Sequence, residues 1–112
     1  MSTQPVDHRA KYLELVSQYV GSFPEKLATL ERAMADGRGG DAKALAEARE
    51  VAHRIHGTAG CYGLRELSNA AAVLDDVLTQ MKRGEGGDWV EAERAARAVR
   101  AIAEAAARER AD

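Results

Sequence analysis

The sequence predicts an all-α protein: an up-down antiparallel four-helix bundle with a short additional N-terminal helix. Three observations carry that prediction. Alanine, leucine, glutamate and arginine dominate the chain, and all are good helix formers. Apolar residues recur at spacings of three and four in five stretches, and no run alternates apolar and polar residues with a period of two. Short polar, glycine-bearing connections separate the stretches, which sets neighbouring helices antiparallel. At 112 residues the chain has room for one domain and a modest core. Aromatics are only 4% of it, so that core must be aliphatic and rich in alanine.

Residues 1–7 are polar, carry Pro5 and read as a flexible tail, leaving 8–112 as the bundle domain. A first helix is expected over about 8–20. Leu13, Val16 and Val20 share a face, with Tyr12, Leu15 and Tyr19 beside it. Ser22-Phe23-Pro24-Glu25 reads as the start of a second helix. Ser22 would cap it, Pro24 would sit in the first turn and Glu25 would complete a capping box. Phe23, Leu27, Leu30 and Met34 form its apolar stripe, and it is expected to stop at Asp36-Gly37-Arg38-Gly39-Gly40.

Asp41 then caps a third helix bearing Leu45, Ala48, Ala52, Ile55 and Ala59, closed by Gly60 and Gly63. A fourth helix carries Leu64, Leu67, Ala71, Leu74, Leu78 and Met81 and stops at Gly84. Asp88-Trp89-Val90-Glu91 is a second capping box. It opens a last helix through Ala92, Ala96, Val99, Ala103 and Ala106, fraying near Asp112. The segments Gly37–Asp41 and Gly84–Asp88 share the pattern G-x-G-G-D. The helices flanking them do not match, so the pattern reads as one turn solution used twice.

Charge and composition exclude several classes. The formal net charge is −2 with acids and bases interspersed, which argues against a nucleic-acid partner. No apolar run approaches a membrane span, and the first residues carry no secretory h-region. The lone Cys61 cannot form an internal disulfide and suits a reduced cytoplasmic thiol. There is no phosphate-cradling glycine loop followed by lysine and serine or threonine, so no autonomous ATP-dependent kinase is expected.

The stretch Val51–Leu64, V-A-H-R-I-H-G-T-A-G-C-Y-G-L, holds the chemistry. At about 100° per residue, Leu45, Ala48, Val51, Ala52, Ile55 and Ala59 fall within an arc of about 120°. His53 points about 140° away from the centre of that arc and is expected in solvent. His56 lies nearer the core edge. Gly57 and Gly60 follow His53 on its own face, and Ala46 precedes it. A glycine inside a helix costs about 1 kcal/mol relative to alanine. The bare strip beside the histidine therefore suggests that something must come close to the imidazole.

This pattern resembles the histidine-containing phosphotransfer (HPt) domain. Ala52-His53, Ile55, Gly57, Thr58-Ala59-Gly60 and Gly63 match the family's motif, and the helical rhythm matches from Tyr12 to the last helix. The resemblance implies a phosphorelay intermediate of two-component signalling. His53 would accept a phosphoryl group from a receiver-domain aspartate and pass it to another receiver as phosphohistidine. The implied partners are response-regulator receiver domains and a hybrid sensor histidine kinase, in the cytoplasm. The chain would act as a monomer with no cofactor of its own, any magnesium belonging to the receiver.

One position departs from the family. His56 stands where the family usually has a lysine that supplies positive charge near the phosphoryl group. An imidazole there would make phosphoryl retention depend on pH near neutrality. Around His53, Glu50 is a candidate to hold the other ring nitrogen, and Arg49 and Arg54 are candidates to supply charge. All three also fit a plain solvated helix face. Two rival readings stand beside the relay: a degenerate or scaffold bundle without transfer activity, and a metal site using His53 and His56. Metal sites of this kind need three or four ligands, and the sequence places no clear third.

Overall fold

The structure, a computed structural model, describes residues 8–111. The tail assigned to residues 1–7 and the last residue, Asp112, lie outside the described residues. The described chain is helical, with five helices: α1 (His8–Gly21), α2 (Phe23–Arg38), α3 (Ala42–Cys61), α4 (Arg65–Arg83) and α5 (Trp89–Ala111).

The core is built from the predicted stripes. Leu30, Leu67, Leu74, Leu78, Val16 and Val99 are its largest fully buried side chains. Buried alanines lie between them: Ala48, Ala52 and Ala59 on α3, Ala71 on α4, and Ala92 and Ala103 on α5. Small residues on facing stripes let helix backbones approach closely, so a chain poor in aromatics still closes its interior. The stripe of α1 is only half used. Val16, Tyr19 and Val20 are buried, whereas Tyr12, Leu13 and Leu15 remain exposed.

Cross-helix polar pairs set the register. Arg49 of α3 meets Thr79 of α4, His53 meets Asp75, and His56 meets Ser68, so α3 and α4 run in opposite directions. Along α2 and α5, Glu31 meets Arg100 and Arg38 meets Glu93, again in opposed order.

Two local expectations need correction. Ser22 does not cap α2. It adopts a helical conformation, and its hydroxyl donates to the Tyr19 carbonyl at 2.6 Å while accepting from Lys26. With the hydroxyl turned back onto α1, no capping box with Glu25 forms. The end of α2, at Arg38, falls inside the expected stop segment. A Cβ on Gly37 would lie 3.0 Å from the Trp89 ring and 3.2 Å from the Leu45 backbone nitrogen. This glycine serves close packing inside a helix instead of ending one.

The two G-x-G-G-D turns therefore differ. The first leaves α2 through a right-handed Gly39 and a positive-φ Gly40. The second leaves α4 through a left-handed Gly84, followed by Gly86 and Gly87, both at positive φ. What they share is the aspartate. Asp41 accepts from the backbone N–H groups of Lys43 and Ala44, and Asp88 from that of Glu91.

Candidate functional site

The site lies where α3 and α4 face one another. Asp41 fixes the start of α3. Its end is a Schellman turn: Leu64 N–H donates to Ala59 O at 2.9 Å, Gly63 N–H donates to Gly60 O at 3.2 Å, and Gly63 takes a φ of +73°. Between these ends, Arg49 and His53 stand one turn apart on α3. Asp75 and Thr79 stand one turn apart on α4. The four side chains meet.

His53 is exposed, with 59% of its side chain open to solvent. Its Nδ1 lies 2.8 Å from Asp75 Oδ2. The other oxygen of that carboxylate, Oδ1, accepts from Arg49 Nε at 3.0 Å and from the Thr79 hydroxyl at 3.2 Å. Arg49 Nε also reaches Thr79 Oγ1 at 3.3 Å. Asp75 is itself buried, at 9% exposure. Burial alone would push its carboxyl up. The hydrogen bond from His53, the charge of Arg49 and the hydrogen bond from Thr79 outweigh burial and hold it below its usual range.

An ionised carboxylate only accepts hydrogen bonds. The proton between Asp75 and His53 therefore belongs to Nδ1, and the Nε2 lone pair is left on the exposed side of the ring. This is the tautomer and orientation that a nucleophilic imidazole needs.

The other named residues separate into distinct places. Glu50 does not hold His53. It pairs with Arg54 at 3.3 Å along the same helix, and both side chains are more than two thirds exposed. The orienting group comes from α4, because Nδ1 points across the helix interface where Asp75 waits, and Glu50 lies on the solvent side. Gly57 faces open space, with nothing within 4 Å of where a Cβ would be. Gly60 does not: a Cβ there would lie 3.3 Å from Ser68 Oγ. Gly60 thus makes room for α4 and not for an incoming molecule. His53, Arg54, Gly57, Thr58, Cys61 and Tyr62 line one shallow groove.

His56 is half-buried and tied to α4. The Ser68 hydroxyl donates to the His56 carbonyl at 2.8 Å, which uses its single proton. His56 Nδ1 then donates to the Ser68 carbonyl at 2.9 Å and lies 3.0 Å from the hydroxyl oxygen. The two histidines thus commit Nδ1 to different partners. Among the described residues no group of three His, Cys, Asp or Glu converges to hold a metal ion. No helix among them is long and apolar enough to cross a membrane.

The sequence reading missed Asp75, Thr79 and Ser68. A signal was present. Ser68 and Asp75 are seven residues apart, each directly following a core leucine, Leu67 and Leu74. That spacing sets two polar groups on one line beside the apolar stripe of α4, facing α3.

No curated protein and no solved structure matches the chain. A family model does: the Hpt domain model matches residues 14–109, nearly the whole length. That family implies histidine phosphotransfer in two-component signalling, and the chain belongs to it.

Proposed function

We propose that this chain is a phosphorelay intermediate whose phosphoryl carrier is His53. The observation that carries the reading is the exposed imidazole with Nδ1 held by the ionised Asp75. The step balances as an in-line displacement. The Nε2 lone pair attacks phosphorus on a receiver aspartyl phosphate. The Nε2–P bond forms as the bond from phosphorus to the aspartyl oxygen breaks, and that electron pair returns to the receiver carboxylate. Nδ1 keeps its proton throughout, so the ring becomes a cation facing Asp75. Onward transfer to a second receiver reverses the same steps.

Asp75 acts here as a positioning residue, fixing the tautomer and offsetting the charge that develops on the ring. The open side of Gly57 leaves space beside His53 for a receiver domain. A hybrid sensor histidine kinase supplies the phosphoryl group through its receiver, and the receiver brings its own magnesium. We place the chain in the cytoplasm, as a monomer, with residues 8–112 as one domain. The opposed registers of α3 with α4 and of α2 with α5 support an up-down bundle to which α1 is the addition.

The test is phosphorylation by a panel of phosphorylated receiver domains, read as acid-labile, alkali-stable label. Label is expected on the native protein and absent from His53→Gln. A His53→Gln protein that still carries or relays label would overturn the assignment and favour a scaffold role.

A further inference from the structure

A phosphoryl group on His53 Nε2 would bring close to two negative charges beside a carboxylate that is already ionised. The ring cation that forms on loading offsets one negative charge, and a further cation is needed for the rest, or the loaded state is disfavoured by like-charge repulsion. The cations around His53 are unequal to that task. Arg54 pairs with Glu50 far out in solvent, where charge is strongly screened. Lys26 is tied to Ser22 and lies over the Tyr19 ring. His56 is held against Ser68. Arg49 differs from all three. It stands one turn before His53 on the same helix, its side chain is 35% exposed, and it shares the Asp75 carboxylate with His53, one oxygen each.

Arg49 is also fixed in a telling way. Its contacts to Asp75 and Thr79 are made through Nε. Anchoring a guanidinium by Nε sets its plane, and its terminal nitrogens form a rigid donor fork that matches phosphate oxygens.

We propose that Arg49 is the phosphoryl-binding residue of this chain. Its terminal nitrogens donate to the phosphoryl oxygens once His53 is loaded, while Nε stays on Asp75. Asp75 therefore sets both partners of the phosphoryl group from one carboxylate, the nucleophile through Oδ2 and the clamp through Oδ1. Thr79 is a positioning residue, acting through the Arg49 anchor. The proposal rests on His53 being the carrier, and it names the group that receives the charge.

The experiment uses phosphoramidate, a small donor that needs no partner protein. The Nε2–P bond forms, the P–N bond of the donor breaks, and ammonia leaves. Loading is followed by phosphorus NMR, and the guanidinium nitrogens by nitrogen-15 NMR. On loading, the Arg49 terminal-nitrogen signals should shift and those of Arg54 should not. Arg49→Gln should load about tenfold more slowly, the size expected for one charge-assisted hydrogen bond. Arg49→Lys should recover part of that rate, since charge returns without the fork, and it guards against a folding defect in the glutamine variant. Thr79→Val should give a smaller loss and a smaller shift. Normal loading of His53 in Arg49→Gln with unmoved Arg49 signals in the native protein would overturn the clamp alone. Failure of the native protein to load His53 at all would overturn the carrier reading and the clamp with it.

Discussion

At the scale of single residues, the site depends on one carboxylate remaining ionised while nearly buried. Asp75→Asn keeps the shape and a hydrogen-bond acceptor for Nδ1 but removes the charge. Transfer to His53 should fall by about tenfold or more, as expected for losing a charged partner in a low-dielectric setting. Receiver-to-protein transfer kinetics measure this, and nitrogen NMR of His53 should show the Nδ1-protonated tautomer losing its preference. An unchanged rate and tautomer would remove Asp75 from the mechanism.

Gly57 gives a second, opposite kind of residue test. With nothing within 4 Å of its missing Cβ, Gly57→Ala should stabilise the helix by about 0.5–1 kcal/mol, seen in chemical denaturation. The same methyl group should slow phosphoryl transfer from receiver domains while leaving loading by phosphoramidate unchanged. A glycine that lowers stability yet can be filled at no cost to receiver transfer would not be a docking feature.

At the scale of helices, α3 and α4 are joined by polar contacts along one edge of a shared apolar seam. Gly60 and Ser68 set how close the two helices lie. Gly60→Ala crowds the Ser68 hydroxyl at 3.3 Å and should destabilise the fold or displace that side chain. In a Ser68→Ala background the nearest remaining contact is Cβ at 3.9 Å, an ordinary separation. There the same Gly60→Ala change should turn stabilising by up to about 1 kcal/mol, the helix-propensity gain. A double-mutant cycle by denaturant titration reads this reversal of sign, and additive effects would contradict it.

Helices are also where the sequence was most and least informative. The stripes of α3, α4 and α5 were legible because each holds its three-and-four rhythm over several turns. The start of α2 and the role of Gly37 were not. Ser22 has the right chemistry for a cap, but its hydroxyl serves the Tyr19 carbonyl. Gly37 has the right chemistry for a stop, but Trp89 and the start of α3 lie against it. Both depend on distant partners that local spacing does not reveal. The histidine could be placed from its angle on one helix. Its orienting group could not, because Asp75 comes from the facing helix.

At the scale of the whole molecule, two groups should shape stability at the extremes of pH. The Asp75 carboxyl is held below its ordinary value of 3.8. Its contribution is present above that value and is lost as pH falls through the lowered folded-state pKa, so acid should loosen the α3–α4 seam. Tyr19 acts at the other end. Burial, with a smaller effect from Tyr62, pushes its phenol up from 10.0 to about 12. The unfolded chain therefore gives up that proton first, and stability should fall between pH 10 and about 12.

The Tyr19 hydroxyl is also buried without a hydrogen-bond partner. Tyr19→Phe should then cost little or even stabilise the fold at neutral pH, and it should flatten the alkaline decline. Thermal melts across the pH range measure both effects. A steep alkaline loss that persists in Tyr19→Phe would assign it to another group.

The opposed register of α3 and α4 has one more consequence. His53 rides on one helix and the group that fixes its proton rides on the other. A slip of one helix past the other by a single turn, about 5.4 Å, would carry Nδ1 out of reach of Asp75. The ring would then be free to turn and to exchange tautomers. On the proposed reading, readiness to take a phosphoryl group gauges helix alignment, and a bundle that drifts out of step would fall silent before it unfolds.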